Sequence, residues 1–201
     1  DYPLDEGSVS NALTRFKELY ELYLQDSKVH FALVPDKSYY LAEEAGVLSI
    51  DYDALYTHVA ESLPWAELID LRQHLGIDDY YRTDTHWRQE KLQSVAEKLC
   101  ASLGVRPFES LTQTQLERPF YGVYYGQAAL PMDSEKITIL ESELLKGCIV
   151  TNFENGKTTA VYDMDKLSSR DMYDIYLSGA TSMLRITNPA ASGDRELVVF
   201  R

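Results

Sequence analysis

The apolar positions of this chain follow two patterns, one of helical spacing and one of short continuous runs. Leu13, Phe16, Leu19, Tyr20, Tyr23 and Leu24 recur every three or four residues. That spacing predicts an amphipathic helix over 10–26, capped by Ser10 or Asn11. Residues 29–34 are almost wholly apolar and stop at Pro35, as a strand buried on both faces does. His30 inside that run reads as a hydrogen-bonded core or edge residue rather than a ligand. Pro35-Asp36-Lys37 makes a turn, and a short helix follows over 38–45. Leu55, Val59 and Leu63 predict a helix over 51–63, ended by Pro64. Residues 66–71 predict a second strand, and 72–76 a helical turn closed by Gly76. Leu92, Val95, Ala96, Leu99, Cys100 and Leu103 mark the buried face of a helix over 87–103, with Gly104 at its end.

Helix and strand thus alternate through the first half, the sign of parallel crossovers and an α/β fold. Beyond residue 105 the periodicity weakens. Tyr121 to Gly126 is a glycine-punctuated aromatic loop, and 136–140 predicts a strand. Residues 148–153 and 158–162 predict a hairpin, with Asn155-Gly156 supplying the positive φ angles of a type I′ turn. Residues 168–178 read either as a short helix or as an irregular tyrosine-rich loop. Two closing strands are expected over 182–187 and 196–201. The runs 29–34, 67–71, 183–187 and 197–200 are expected to share one mainly parallel sheet, with helices 10–26, 51–63 and 87–103 packed on it.

The chain's 201 residues suit one domain with a sizeable core. A net charge of -13, without any basic run, argues against nucleic acid, whose phosphates need clustered Lys and Arg. No apolar stretch approaches the length of a membrane span. Cys100 and Cys148 lie far apart and read as two buried free thiols. The four histidines show no metal-ligand spacing, and no glycine-rich phosphate loop is present. Tyrosines come in pairs, at Tyr39-Tyr40, Tyr80-Tyr81 and Tyr124-Tyr125, as suits either a carbohydrate-facing surface or a core rim.

Chemistry concentrates in Tyr80-Tyr81-Arg82-Thr83-Asp84-Thr85-His86-Trp87. Asp84 and His86 stand two apart in a polar, turn-like stretch immediately before a strong helix. A His oriented by a carboxylate is the general base of a nucleophile-base-orienter site. The plainer alternative is a helix cap beside a solvated His. Tyr80, Tyr81 and Trp87 bracket the pair with apolar walls. Lys37, Arg82, Tyr81, Trp87 and Tyr124 are the candidate substrate-binding residues, Arg82 or Lys37 positioning a sugar hydroxyl or acyl oxygen. Each of those two cations also suits a surface ion pair.

The order of these pieces resembles the DHHW family of bacterial proteins. That family is related to SGNH-hydrolase-like proteins that O-acetylate alginate and other exopolysaccharides. The likeness rests on Val34-Pro35-Asp36-Lys37, Tyr80 to Trp87, Tyr173 to Gly179, and the run 196–201. It implies a three-layer, SGNH-hydrolase-like (flavodoxin-like) α/β fold with a mainly parallel sheet. One such domain would occupy 1–201, incomplete at its C-terminal end, with an irregular, hairpin-bearing insertion over 105–165. It further implies that Asp84 orients and His86 acts as base in a serine esterase or O-acetyltransferase. The substrate would be an extracytoplasmic glycan or an acyl ester, with no metal and no cofactor. The family's serine follows a strand like 197–201, and none stands there in this chain. The 201 residues alone are therefore expected to be inactive. The alternative is a non-catalytic, carbohydrate-binding or scaffold version of the same fold. The sequence carries no signature of oligomeric state.

Overall fold

A computed structural model describes residues 2–106, 111–129, 131–193 and 195–200. Its contacts group residues 1–108 and 123–129 into one unit, and residues 109–122 and 130–201 into a second.

The first unit begins with helix α1 (Glu6–Leu19), which runs on into a π-helical turn at Tyr20–Leu24. The expected start near residue 10 is four residues late. Asp5 caps the helix instead, its carboxylate accepting from the Ser8 N–H at 2.9 Å. An apolar stripe reports which face is buried. The start belongs to whichever side chain reaches the first free N–H groups.

Strand β1 (His30–Leu33) leads through Pro35 to helix α2 (Lys37–Ala45). Asp36 caps α2, accepting from Ser38 and Tyr39. Helix α3 (Tyr52–Ser62) is capped by Asp51, and strand β2 (Glu67–Asp70) follows. β1 and β2 pair in parallel, with His30 opposite Glu67 and Leu33 opposite Asp70. Successive side chains of β2 point to opposite faces. Leu68 accordingly joins Leu13, Val59 and Leu63, whereas Ile69 joins Leu71, Leu75 and Val95.

Helix α4 (Gln93–Leu103) ends at Gly104, whose φ of +64° suits a residue without a Cβ. It does not reach back to Trp87 as its periodicity suggested. Trp87 forms an isolated antiparallel bridge with Tyr80, and Arg88 donates its N–H to Asp79 at 2.7 Å. Those backbone groups are engaged across the loop, so only a 3-10 turn at Gln89–Lys91 precedes α4.

In the second unit, β3 (Thr112–Phe120) pairs antiparallel with β4 (Glu135–Glu141), with a bulge between Gln115 and Pro119. Between them in sequence lies α5 (Val123–Ala128), which belongs to the first unit. A short helix α6 (Glu143–Gly147) leads into β5 (Ile149–Asn152). β5 is flanked by β6 (Thr158–Thr159) and β7 (Leu184–Thr187), both antiparallel to it. Phe120, Ile137, Val150 and Ile175 are fully buried in this unit.

Three expectations change here. Parallel pairing is confined to β1 and β2 among the described residues, because β7 spends its ladder on β5 rather than on them. Residues 195–200 form no strand, and Leu197, Val198, Val199 and Phe200 stay largely exposed. Apolar continuity favours burial but does not choose a neighbour, and a strand without one has no ladder. Residue 201 lies outside the described residues. Finally, the hairpin turn is not type I′, since Asn155 keeps a negative φ and only Gly156 is left-handed. The Gly156 N–H instead donates to the Asn152 carbonyl, and Asn155 Oδ1 accepts from Lys157, giving a wider loop.

The whole is a mixed α/β structure with small sheets. No described helix is long and apolar enough to cross a membrane. Both cysteines are free, Cys148 buried and Cys100 half-buried on α4.

Ile69 is 2% exposed on the strand that carries the first unit's core. Replacing Ile69 by Ala is expected to cost about 2–5 kcal/mol, as truncation of a well-packed aliphatic does. Chemical denaturation read by tryptophan fluorescence tests this, because Trp65 and Trp87 both pack on the first unit's clusters.

Candidate active site

The loop 80–87 is fastened to the C-terminal end of β1. The Tyr80 hydroxyl donates to the Pro35 carbonyl and accepts a hydrogen bond from Trp87. Burial pushes the Tyr80 phenol up to about 12, with the Trp87 bond opposing part of that rise. Lys37, the first residue of α2, donates to the Tyr81 carbonyl and, at 3.4 Å, to the Arg82 carbonyl. The loop closes on itself where the Tyr81 N–H donates to the His86 carbonyl at 3.1 Å.

Inside this frame Asp84 has no exposed surface. Its Oδ1 contacts His86 Nδ1 and accepts the His86 backbone N–H at 2.9 Å. Its Oδ2 accepts the N–H of Val123, the first residue of α5, also at 2.9 Å. Burial on its own drives the carboxyl upward. The hydrogen bonds from the His86 ring, His86 N–H and Val123 N–H outweigh it, and the carboxyl stays below the usual carboxylate range. Asp84 is therefore an anion at neutral pH, and an anion beside Nδ1 holds the proton on that nitrogen. The His86 side chain remains 44% exposed.

The expected residues divide into groups. Asp84 and His86 touch, as their spacing allowed. Tyr124 joins them through α5, its N–H donating to the Thr83 carbonyl at 2.9 Å and its ring lying 4.9 Å from the Lys37 ammonium. Lys37 faces backbone carbonyls of the loop, which makes it a strap rather than a group aimed at a ligand. Arg82 is exposed, with its carbonyl taken by Lys37. Tyr81 is fully buried and offers a ligand no surface, which removes it from the substrate-binding set. Trp87 is half-buried, its ring packed against the cluster of Ile69, Leu71, Leu75 and Val95. Thr83 and the Val123 N–H were not anticipated. Thr83 is fully buried, and Val123 stands 39 positions from Asp84 in sequence. A backbone donor leaves no residue-type signal at such a distance.

No protein-family model matches the chain, and no curated protein does. Solved structures do. A DHHW family protein from Eubacterium siraeum superposes with a TM-score of 0.69 at 16% identity, over 92% of this chain and 65% of its own. The chain has the fold of a DHHW protein. PatB1 of Bacillus cereus, solved with a sulfonyl adduct, gives 0.67 at 17% identity, over 92% of this chain and 68% of its own. A second PatB1 structure gives 0.52 at 16% identity. The chain thus spans just under two thirds of the length of the DHHW protein it matches. Within that fold the loop 80–87 carries Asp-Thr-His-Trp at residues 84–87.

A carboxyl held below its ordinary range binds its proton at lower pH folded than unfolded, where it titrates near pH 3.9. Asp84 therefore contributes stability at every pH above about 4, and that contribution is lost as pH falls through the folded value. Asp84→Asn removes it. Urea melts from pH 7 down to 3 should show the parent losing more stability than the variant below about pH 4. Parallel curves would show that the three hydrogen bonds do not favour the anion.

Proposed function

We propose that this chain is part of an SGNH-like serine esterase or O-acetyltransferase acting on cell-surface or extracellular glycans. The observation that carries the reading is the buried Asp84 anion against His86 Nδ1, beside a half-exposed imidazole. A proton fixed on Nδ1 leaves Nε2 as base. In the proposed reaction Nε2 takes the proton of a serine hydroxyl as its oxygen attacks the ester carbonyl. The tetrahedral centre collapses to an acyl-serine, and the departing alkoxide takes the proton back from the imidazolium. A glycan hydroxyl or water, deprotonated by the same nitrogen, then attacks the acyl-serine and frees the serine.

We place the attacking serine outside these 201 residues, since the chain spans 65% of the DHHW protein. The sulfonyl adduct in the PatB1 structure supports a nucleophile in this fold, because sulfonyl groups are captured by activated nucleophilic side chains. The parallel β1–β2 pair, with apolar clusters on both faces, fits the middle layer of a three-layer, flavodoxin-like sheet completed in the longer protein. The C-terminal ends of such strands are where open α/β sheets hold their reacting groups. From the resemblance to the DHHW family we further propose that the protein acts outside the cytoplasm.

The test is release of acetate from an activated acetyl ester by four proteins: this chain, a natural extension that includes the next serine, and that extension with His86→Ala or Asp84→Asn. The extension is expected to turn over. This chain and the His86→Ala protein should fall by about 10⁴–10⁶, and Asp84→Asn by about 10⁴. An active His86→Ala extension would remove His86 from the mechanism.

A further inference from the structure

The second unit contains a cavity of about 420 Å³ to which neither Asp84 nor His86 contributes. Its volume lies within the range of small-molecule sites, about 300–1,000 Å³. One wall is made by β5 and the loop that follows it, through Asn152, Glu154, Asn155 and Lys157. Asp163, Asp165 and Lys166 come from the 3-10 segment at Met164–Ser168 and the residue before it. Ser178 and Thr181 close it on the other side.

Two features of the lining point to a ligand. The first is polar capacity left unspent. Thr181 Oγ1 is buried without a hydrogen-bond partner among the described residues. Around it stand Lys166 and Asp163 and, at the exposed rim, Lys157, Asp165 and Glu154, whose Oε1 accepts the Ser182 N–H at 2.8 Å. No ion pair joins these charges among the described residues. The second is backbone held in a costly conformation. Leu177 and Ser178 both adopt left-handed φ angles, +57° and +63°, which residues with a Cβ resist. That conformation turns the Ser178 hydroxyl onto Asp163 Oδ2 at 2.7 Å. Strain of this kind persists where surrounding structure enforces it, often beside a binding site.

The charges also limit what fits. Three carboxylates oppose an anion, and two ammonium groups oppose a cation. A neutral ligand rich in hydroxyls suits both, since each hydroxyl donates to a carboxylate and accepts from a lysine. Val150, Leu177 and Leu184 add an apolar face, on which the C–H side of a sugar ring can lie. We propose that this cavity binds a neutral saccharide. Asp165, Lys157 and Asn152 hydrogen-bond its hydroxyls, and Thr181 gains its missing partner.

This site holds whether or not Asp84 and His86 act on esters, because binding is read without turnover. The experiment titrates the 201-residue chain with maltotriose, cellotriose and triacetylchitotriose, following amide NMR shifts and calorimetry. At least one is expected to shift the resonances of Ser178 and Thr181. Lys157→Ala with Asp165→Ala should weaken that sugar by about tenfold or more, as removal of hydrogen bonds to charged groups does. Ser178→Gly is expected to keep or raise the melting temperature while weakening binding. A purely structural Ser178 would lower the melting temperature and leave binding alone. The proposal fails if none of the three sugars binds, or if the double variant binds as the parent does. It fails equally if trigalacturonate or a deacetylated chitosan trimer binds more tightly than every neutral sugar.

Discussion

A carboxylate without exposed surface has to be compensated, and the folding of loop 80–87 answers that requirement at Asp84. Charge removed from water costs several kcal/mol unless hydrogen bonds replace the lost hydration. Two of the three donors come from His86 and the third from Val123. The first pair fixes the loop's own turn. The third fixes where α5 begins, because its first N–H must point at Oδ2. Tyr124 follows in register, donating to Thr83 and bringing its ring to the Lys37 ammonium. Compensating one anion thus orders a segment 39 residues away and sets the tautomer of the imidazole beside it.

How much of this the sequence disclosed depends on the kind of signal each part leaves. The glycine stop at Gly104 and both strands of the parallel pair follow from residue type and spacing. Asp84 and His86 were legible because a two-residue spacing within a turn brings side chains together without help from the rest of the fold. Long-range partners were not. Residues 184–187 have the composition of a buried strand in any sheet, and only tertiary context assigns them to β5. The same limit applies to 197–200, whose apolar character says nothing about which edge would receive them. Trp87 was drawn into the following helix by periodicity, yet its backbone pairs with Tyr80. The two demands differ in range: a helix satisfies a backbone group four residues away, and the bonds flanking this bridge run five residues, from the Tyr81 N–H to His86, and nine, from the Arg88 N–H to Asp79.

Lys37 shows how residue type misleads when backbone acceptors are ignored. A lysine near a proposed reacting His suggests a charge aimed at substrate. Tyr81 and Arg82 expose carbonyls with no strand or helix to take them, and an ammonium carries three donors. Satisfying those carbonyls ties the first turn of α2 to the loop, so β1, Pro35 and the Asp84–His86 pair share one rigid frame. The Tyr80 hydroxyl makes the same connection independently through Pro35. A base that must meet its partner within hydrogen-bond distance gains from such duplication, since small displacements cost large factors in rate. The aromatic and basic residues around the pair are thus explained by the precision the pair needs, before any contact with a ligand is invoked.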